Sequence, residues 1–264
     1  MSANVNIHPT AIIDPKAEIG NDVKIGPYCV IDPEVKIGDG TILRAFVTIR
    51  NYSEIGKNCD IHEYTVIGGE PQDHGFSGEV TRVRIGNNNL IRENVTINRA
   101  SGEGNETYTG DNCFIMDSVH LAHNVHVGNN VTIANKVGLS GYVQVGDHVV
   151  FGGMAGVHQF VRIGSYCMIG GLYRVVKDVP PYTLASGEPL RLTGLNRVGL
   201  ERGGIDEETR KEIYRFYREL YKPGKLFSEA FNEALSNKLN YIPEIQNIIN
   251  FYEGSERGVT FWSK

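Results

Sequence analysis

The chain of 264 residues has few of the features that nucleic-acid-binding, exported and membrane-spanning proteins require. It carries four cysteines, one tryptophan and a formal net charge of −5. The negative charge argues against a nucleic-acid-binding chain. The first twenty residues show no basic segment followed by an apolar one, and no stretch is long and apolar enough to span a bilayer. We therefore expect a cytoplasmic protein with no transmembrane segment.

A six-residue repeat occupies most of the chain. Every sixth residue from Ile7 to Ile67 is Ile or Leu, and the phase returns over 85–97 and 115–175. A second lane, two residues earlier, holds smaller or β-branched residues, and glycine often follows the large aliphatic residue. A helix period of 3.6 residues does not produce such lanes, and neither does simple alternation.

The repeat predicts short strands joined by tight corners, with two residues of each hexad pointing inward. Three strands would close a triangular coil of eighteen residues, and successive coils would stack about 4.8 Å apart through parallel hydrogen bonds. Residues 7–175 then give roughly nine to ten coils, a prism about 45 Å long. The corners are expected to use Gly, Asn or Asp.

The four cysteines all fall in the inward lane of small residues. Cys59, Cys113 and Cys167 are spaced by 54 residues, which the repeat converts to about three coils and roughly 14 Å. That separation is too long for a disulfide. The sequence therefore predicts buried thiols in a reducing compartment.

Two loops and a helical domain complete the predicted organisation. Segments 68–83 and 99–108 interrupt the repeat without losing its phase, and loops carried by a rigid scaffold often hold binding groups. The repeat ends near Pro180 and Pro181, which cannot continue a central ladder. We predict a β-helix domain over 1–182, and a connecting stretch with a helical domain over 183–264.

Helix signals support that second domain. Asp206 is suited to N-cap a helix over 206–221, and further helices are predicted over 226–238 and from about 243 to 253. The first of these helices has an apolar stripe formed by Ile213, Phe216, Tyr217 and Leu220. The domain would then close the open end of the prism.

The segment from Asp117 to Val125 carries two histidines inside the repeat. One coil of eighteen residues takes His123 to Gly141, where no side chain would crowd an imidazole and a backbone N–H is available. One further coil leads to Gln159, beside His158. Imidazole titrates near neutral pH and is therefore suited to general base catalysis.

A zinc site formed by His120, His123 and His126 is disfavoured. Three residues of strand span about 10 Å and alternate between opposite faces, so these side chains meet at one ion only if a corner folds them together. We expect no metal site.

These hexads resemble those of the hexapeptide-repeat acyltransferases, which are left-handed parallel β-helices that act as trimers. The handedness follows from the resemblance alone. Within that superfamily the ordered motifs resemble the UDP-N-acetylglucosamine 3-O-acyltransferase family over the full length of the chain. The motifs are Ile7–Ala11, Pro71–Asp73, His120–His123, Gly153–Phe160, Asp178–Tyr182 and Gly194–Asn196.

The resemblance implies the first step of lipid A biosynthesis. In that reaction a 3-hydroxyacyl chain moves from the phosphopantetheine thioester of acyl carrier protein to the 3-position of a UDP-amino sugar, and no resident cofactor takes part. It also implies a homotrimer with active sites between adjacent subunits.

Site residues are carried over from the family position by position. His123 matches the general base and Gly141 the oxyanion donor. Gln72, Asp73 and His120 match residues that contact the sugar, and Asn196 and Arg202 match residues that hold UDP. His158 and Gln159 are expected along the same pocket. Gly171 matches the residue that measures the acyl chain, and a glycine there implies a chain of the twelve- to fourteen-carbon class.

Four positions depart from the family pattern. Asn124 stands where Asp is common, Gly75 where Lys is common, Asn98 where His is common and Val198 where Glu is common. Gly75 and Asn98 lie near the expected sugar pocket. They leave open an acceptor with an amine at the 3-position, which would yield an amide.

Three other functions also remain open. A related hexapeptide N-acyltransferase carries an additional N-terminal uridine-binding domain, whereas the hexads here begin at residue 7. A structural solenoid that only displays loops would bind no UDP-amino sugar. A zinc hydratase would contain metal.

Overall fold

The computed structural model describes residues 6–263. Residues 1–5 and 264, which are the outer ends of the two predicted domains, lie outside the described part. The strands within residues 6–195 make three sheets of a left-handed β-helix, and all of them are parallel except Arg191–Leu195. These sheets are the three faces of a triangular prism, which we call faces A, B and C in the order in which the chain visits them.

Face A has eleven strands, face B nine and face C eight. The strands of face A are Asn6–Ile7, Lys24–Ile25, Ile42–Leu43, Asp60–Ile61, Leu90–Ile91, Phe114–Ile115, Thr132–Ile133, Val150–Phe151, Met168–Ile169, Thr183–Ser186 and Arg191–Leu195. Those of face B are Ile12–Ile13, Val30–Ile31, Thr48–Ile49, Val66–Gly69, Thr96–Asn98, His120–Leu121, Gly138–Leu139, Gly156–Val157 and Arg174–Val175. Those of face C are Glu18–Ile19, Lys36–Ile37, Ser53–Ile55, Arg82–Ile85, Glu106–Thr109, His126–Val127, Gln144–Val145 and Arg162–Ile163.

Register follows the predicted coil of eighteen residues. His120 pairs with Gly138, and Gly138 pairs with Gly156. Two coils are longer, because loop 1 (residues 70–81) and loop 2 (residues 99–105) lie within them. Both loops connect face B to face C, at the edge that we call corner BC; corners AB and CA are the other two edges.

The loops also change the predicted spacing of the cysteines. Asp60 pairs with Leu90 and Leu90 pairs with Phe114, so the adjacent Cys59 and Cys113 are two coils apart. The prediction of three coils for this pair was wrong, because the two loops add residues without adding coils. All four cysteines are buried free thiols, and burial raises the pKa of Cys113 to about 11 and that of Cys167 to about 12.

The corners use Asn and Asp as expected, for example at Asn58 (φ 53°) and Asn88 (φ 56°), but they also use larger residues. A residue in the left-handed region recurs at six-residue intervals, and many of these are aromatic, such as Tyr28 (φ 58°), Phe46 (φ 60°) and Tyr142 (φ 63°). Where a glycine follows the large aliphatic residue, it allows close packing between coils. A Cβ on Gly38 would lie 2.7 Å from the backbone carbon of Gly56. Glycine is therefore required by the approach of the next coil, and the left-handed corner tolerates larger residues.

The large aliphatic lane fills the interior of the prism. Ile61, Leu121 and Ile133 are fully buried, as are the small-lane residues Val95 and Val131. Most strands therefore contribute inward side chains to one continuous apolar core, whereas Ile7 in the first strand is 46% exposed. This core gives the corners a rigid support.

The chain continues from the prism into four helices. They are α1 Arg197–Arg202, α2 Glu207–Leu220, α3 Phe227–Ser236 and α4 Pro243–Glu253, with a 3₁₀ turn at Lys238–Asn240. Asp206 caps α2 by accepting the N–H of Thr209 at 3.0 Å. The predicted apolar stripe of α2 is buried. The antiparallel strands Thr183–Ser186 and Arg191–Leu195 and helix α1 were not predicted.

The helices pack against the C-terminal end of the prism. Buried Tyr217 donates its hydroxyl hydrogen to the Pro181 carbonyl at 2.7 Å, and Ser255 donates to the buried carboxylate of Asp178 at 2.7 Å. Within residues 6–263, no helix is both long enough and apolar enough to cross a membrane.

Candidate active site

His123, Gly141 and Gln159 occupy the same place on three successive coils at corner BC. The N–H of Tyr142 donates to the His123 carbonyl at 3.1 Å, and that of Phe160 donates to the Gly141 carbonyl at 3.0 Å. The column expected from the eighteen-residue spacing is therefore present. His158 and Gln159 are exposed at its upper end.

The imidazole of His123 rests on Gly141. A Cβ at position 141 would lie 2.6 Å from Cε1 and 2.7 Å from Nε2 of the ring. The edge-on ring of Tyr142 stands 5.3 Å away from the imidazole, centroid to centroid. Glycine at 141 thus makes room for the ring, while Tyr142 limits its movement.

Asn124 determines which imidazole nitrogen carries a proton. Its Oδ1 accepts the N–H of Ser101 at 2.9 Å, and its Nδ2 donates to the carbonyl of Ser101 at 3.0 Å. A backbone N–H only donates and a carbonyl only accepts, so the orientation of the amide is unambiguous. The same Oδ1 lies 3.0 Å from Nδ1 of His123. Nδ1 must therefore hold the hydrogen, and Nε2 keeps its lone pair.

The lone pair of Nε2 is available to a substrate. Within residues 6–263, Nε2 of His123 makes no hydrogen bond, and the N–H of Gly141 donates to no backbone acceptor. A base and an amide donor thus lie side by side at one corner. This is the pairing that acyl transfer requires.

Loop 1 places Asp73 beside this corner. The N–H of Gly75 donates to its carboxylate at 2.9 Å. The hydrogen bonds from Gly75 and from the Ser101 side chain, together with the charges of His123 and His74, hold the pKa of Asp73 below its usual range. Gln72, its neighbour in the chain, is exposed. An ionised acceptor therefore lies near the imidazole, and an exposed amide is next to it in the chain.

His120 lies on face B, one strand before the corner. Its Nδ1 is 2.8 Å from the hydroxyl oxygen of Thr96. Burial lowers the pKa of His120, and the charge of His123 lowers it further. His120 is consequently a neutral hydrogen-bonding group at neutral pH.

Three predicted site residues lie elsewhere on the chain. Arg202 is exposed at the end of α1, which is joined to corner CA because Asn196 donates to the carbonyl of Tyr166 at 2.9 Å. Gly171 lies at corner AB, against the backbone of Gly153. A single chain therefore does not bring Arg202, Asn196 or Gly171 to the His123 corner.

The side chain of Asn196 makes hydrogen bonds within the chain. Besides its bond to Tyr166, its Oδ1 accepts the N–H of Gly199 at 3.1 Å as the N-cap of α1. It faces a groove of about 720 Å³ on face A that Arg202 also lines. These two bonds join the start of α1 to corner CA.

The departures from the family pattern have local explanations. The buried Asn98 amide donates to the carbonyl of Glu70, so it connects face B to loop 1. Gly75 uses its N–H on Asp73. Val198 is exposed beside Arg202 in the face A groove.

The histidines of this region do not converge on an ion. His126 lies on face C, where its Nε2 is 3.1 Å from the Glu106 carbonyl, whereas His120 lies on face B and His123 at the corner between them. Within residues 6–263, the one group with metal-ligand spacing is His62, Glu63 and Glu93. Both carboxylate oxygens of Glu93 are bonded to Arg92.

Sequence reasoning missed the residues that hold Asn124. These are Ser101 in loop 2 and Thr107, whose hydroxyl accepts the Asn124 N–H at 2.9 Å. Loop 2 has no repeat from which the position of Ser101 could be read. The inward position of Thr107 was available only after the length of the loop was known.

Two family models match this chain. One is described as UDP N-acetylglucosamine O-acyltransferase, domain 2, and covers residues 178–260. The other is the bacterial transferase hexapeptide, which matches residues 16–51, 34–69 and 106–141.

Curated relatives and solved structures match almost the whole chain. An acyl-[acyl-carrier-protein]–UDP-N-acetylglucosamine O-acyltransferase from Thermodesulfovibrio yellowstonii is 49% identical over 96% of this chain and 98% of its own length. One of the same name from Chlamydia caviae is 46% identical over 96% and 91%. The UDP-N-acetylglucosamine acyltransferase structure from Bacteroides fragilis is 40% identical with a TM-score of 0.91, and covers 96% of this chain and 99% of that one. The chain belongs to the UDP-N-acetylglucosamine O-acyltransferase family.

Proposed function

We propose that this protein transfers a 3-hydroxyacyl chain from acyl carrier protein to the 3-hydroxyl of UDP-N-acetylglucosamine, the first step of lipid A biosynthesis. The single observation that carries this proposal is the His123 corner. There, an imidazole with a free Nε2 lies against the N–H-bearing glycine of the next coil. Family membership supplies the substrates.

His123 acts as the general base. Nε2 removes the proton from the sugar hydroxyl while its oxygen attacks the carbonyl carbon of the thioester, and such a base contributes about 10²- to 10⁴-fold. The hydrogen on Nδ1 stays hydrogen-bonded to the Asn124 oxygen, which holds the ring in position as it becomes charged.

Gly141 stabilises the intermediate. The attack places negative charge on the former carbonyl oxygen, and an amide donor beside the imidazole stabilises that charge. The intermediate collapses when its C–S bond breaks. The departing phosphopantetheine thiolate then takes the proton from Nε2, which returns His123 to its starting state.

The substrate is held by residues from two regions. Gln72, Asp73 and His120 surround the base and bind the sugar. Arg202 binds phosphate oxygens through its forked guanidinium, with Asn196 supporting α1. These regions occupy different corners of one chain, so we propose that adjacent subunits of a homotrimer complete each site.

Face B leads from the base towards Gly171. A Cβ on Gly138 or on Gly156 would meet no atom within 4 Å, so the outer surface of these two strands is open. We propose that a long acyl chain, of the twelve- to fourteen-carbon class, lies along this surface. Gly171, three coils beyond His123 and thus about 14 Å along the axis, then limits its length.

The donor thioester already carries the acyl group in activated form, and we propose no resident cofactor. Four free thiols suit a reducing compartment. Both points favour a cytoplasmic enzyme.

Substitution of the base tests the assignment. We expect His123→Ala to lower transfer from 3-hydroxyacyl carrier protein by at least about 10²-fold while the protein keeps its oligomeric state. His126→Ala is the matched control, because His126 lies three residues away on face C and should retain activity. Transfer by His123→Ala at the wild-type rate would refute the proposal.

The same assay identifies both substrates. Competition between UDP-sugars bearing a 3-hydroxyl and a 3-amine, with product mass as the readout, should give the ester as the main product. Donors of graded acyl length should show a preference for long chains. A main amide product would instead assign the 3-amino sugar.

A further inference from the structure

The Nδ2 group of Asn124 donates to the peptide group between Ser101 and Gly102 of loop 2. The carbonyl of Ser101 accepts the Nδ2 hydrogen of Asn124 at 3.0 Å and a second hydrogen from Asn105 at 2.9 Å. The N–H that belongs to the same peptide group is that of Gly102. Whatever holds this N–H therefore determines the direction in which the carbonyl points.

That N–H is held by Glu79 of loop 1. Oε1 of Glu79 accepts the Gly102 N–H at 2.8 Å, and Oε2 accepts the N–H and the hydroxyl of Ser77 at 2.8 and 3.0 Å. Within residues 6–263 the Glu79 carboxylate makes no ion pair. Its charge is stabilised by hydrogen bonds alone, chiefly those from Gly102 and Ser77, which lower the pKa of Glu79 to about 2.

These contacts form one continuous chain of dipoles. It runs from the Glu79 carboxylate through the Ser101–Gly102 peptide group and the Asn124 amide to Nδ1 of His123. Each group accepts on the side towards the imidazole and donates towards Glu79. Hydrogen bonds aligned in this way polarise one another, so a charge at the far end strengthens the acceptor that faces His123.

We propose that Glu79 is a positioning residue for His123, acting through the Ser101–Gly102 peptide group and Asn124. The inference rests on the proposed role of His123 as base. Glu79 is the remote carboxylate of this chain of hydrogen bonds, and it replaces the direct carboxylate that Asn124 does not provide. It fixes the peptide group in one orientation and favours the His123 tautomer with a hydrogen on Nδ1.

Other groups also face the imidazole. The titratable ones are Asp73 from loop 1, His120 from face B and Tyr142 from the next coil. Asp73 is ionised and contributes its own attraction. Replacement of Glu79 should therefore weaken the base without abolishing it.

The test compares two carboxylates on neighbouring loops. Glu79→Gln keeps the size of the side chain and removes its charge, whereas Glu103→Gln alters an exposed loop 2 carboxylate that makes no hydrogen bond or ion pair within residues 6–263. We expect Glu79→Gln to lower kcat by roughly three- to tenfold with little change in KM. The acidic limb of its kcat/KM profile should move to lower pH. Glu103→Gln should match the wild type in each measurement.

The tautomer of His123 can also be measured directly by NMR, without enzyme turnover. In protein labelled with ¹⁵N-histidine, the His123 signals should report the tautomer with hydrogen on Nδ1, and Glu79→Gln should shift them towards a mixture of tautomers. Unchanged signals together with an unchanged pH profile would overturn the inference. If the wild type shows no transferase activity, the proposed function fails, but the tautomer measurement still decides the role of Glu79.

Discussion

Asn124 presents its amide oxygen to Nδ1 of His123, at a position where the family resemblance implies Asp. The amide is clamped in one orientation by both backbone groups of Ser101, so it specifies the imidazole tautomer as firmly as a carboxylate does. What it lacks is a full negative charge to stabilise the imidazolium. Asparagine at this position is therefore compatible with base catalysis.

Gly141 provides the sharpest residue-level prediction. An added Cβ would lie 2.6 Å from Cε1 of His123, and the imidazole would have to rotate away. We expect Gly141→Ala to lower kcat by about 10²-fold, the order of loss from a small misplacement of a catalytic group. Thermal unfolding should stay close to that of the wild type, because the side chain that moves is at the surface. Full activity in this variant would show that the ring does not need this position.

His120 predicts a pH dependence of stability. Burial lowers its folded-state pKa below the ordinary value of 6.5. The unfolded chain therefore binds more protons as the pH falls, and stability present above about pH 6.5 is lost below it. Urea unfolding at pH 7.5 and 5.5 should show a smaller loss for His120→Gln than for the wild type. His8→Gln, at an exposed histidine, should behave like the wild type.

At the scale of elements, the repeat of the β-helix needs two kinds of residue. One adopts the left-handed conformation at the corner, and the other is a glycine that allows the next coil to approach. The left-handed conformation is taken by residues as large as Tyr142 and Phe160. The glycine that follows the aliphatic lane lies under the backbone of the next coil. A substitution there should therefore disturb packing between coils rather than the turn.

This distinction can be measured with two glycines. A Cβ on Gly38 would lie 2.7 Å from the Gly56 backbone, whereas one on Gly156 would meet nothing within 4 Å. We expect Gly38→Ala to lower the free energy of unfolding by about 1–3 kcal/mol and Gly156→Ala to change it by less than about 0.5 kcal/mol. Equal effects in chemical denaturation would contradict this account of the repeat.

The positions of the two loops also depend on contacts between residues that are distant in the sequence. They leave corner BC on successive coils and bond to each other, for example from the N–H of Gly104 to the carbonyl of Val80 at 3.0 Å. The surviving hexad phase predicted loops over 68–83 and 99–108, and strands Val66–Gly69, Arg82–Ile85 and Glu106–Thr109 extend into these ranges. Their contact with each other and with Asn124 depends on side-chain directions that no period encodes.

At the scale of the whole molecule, the proposed site is divided between corners. His123 lies at corner BC, and Arg202 is attached to corner CA through Asn196. A site that uses both residues must draw them from different subunits. A closed trimer places such interfaces in three equivalent positions.

Subunit mixing tests this arrangement. His123→Ala and Arg202→Ala should each be nearly inactive alone. When equal amounts are co-expressed and assemble at random, about one interface in four has both natural residues, so activity should return to about a quarter of the wild-type level. Because each chain carries one lesion, a site contained in one subunit would show no recovery.

The sequence by itself determined the coil, the buried lanes, the helix predicted over 206–221 and found at Glu207–Leu220, and the column of His123, Gly141 and Gln159. Each follows from a fixed period, since eighteen residues return the chain to the same place. The division between the predicted domains at residue 182 stays a prediction. Only the tertiary structure decided that Cys59 and Cys113 are two coils apart, that glycine serves packing between coils, and that Asn124 is clamped by Ser101 and indirectly by Glu79. These features depend on loop lengths and on hydrogen bonds between segments distant in the chain, which a local pattern cannot specify.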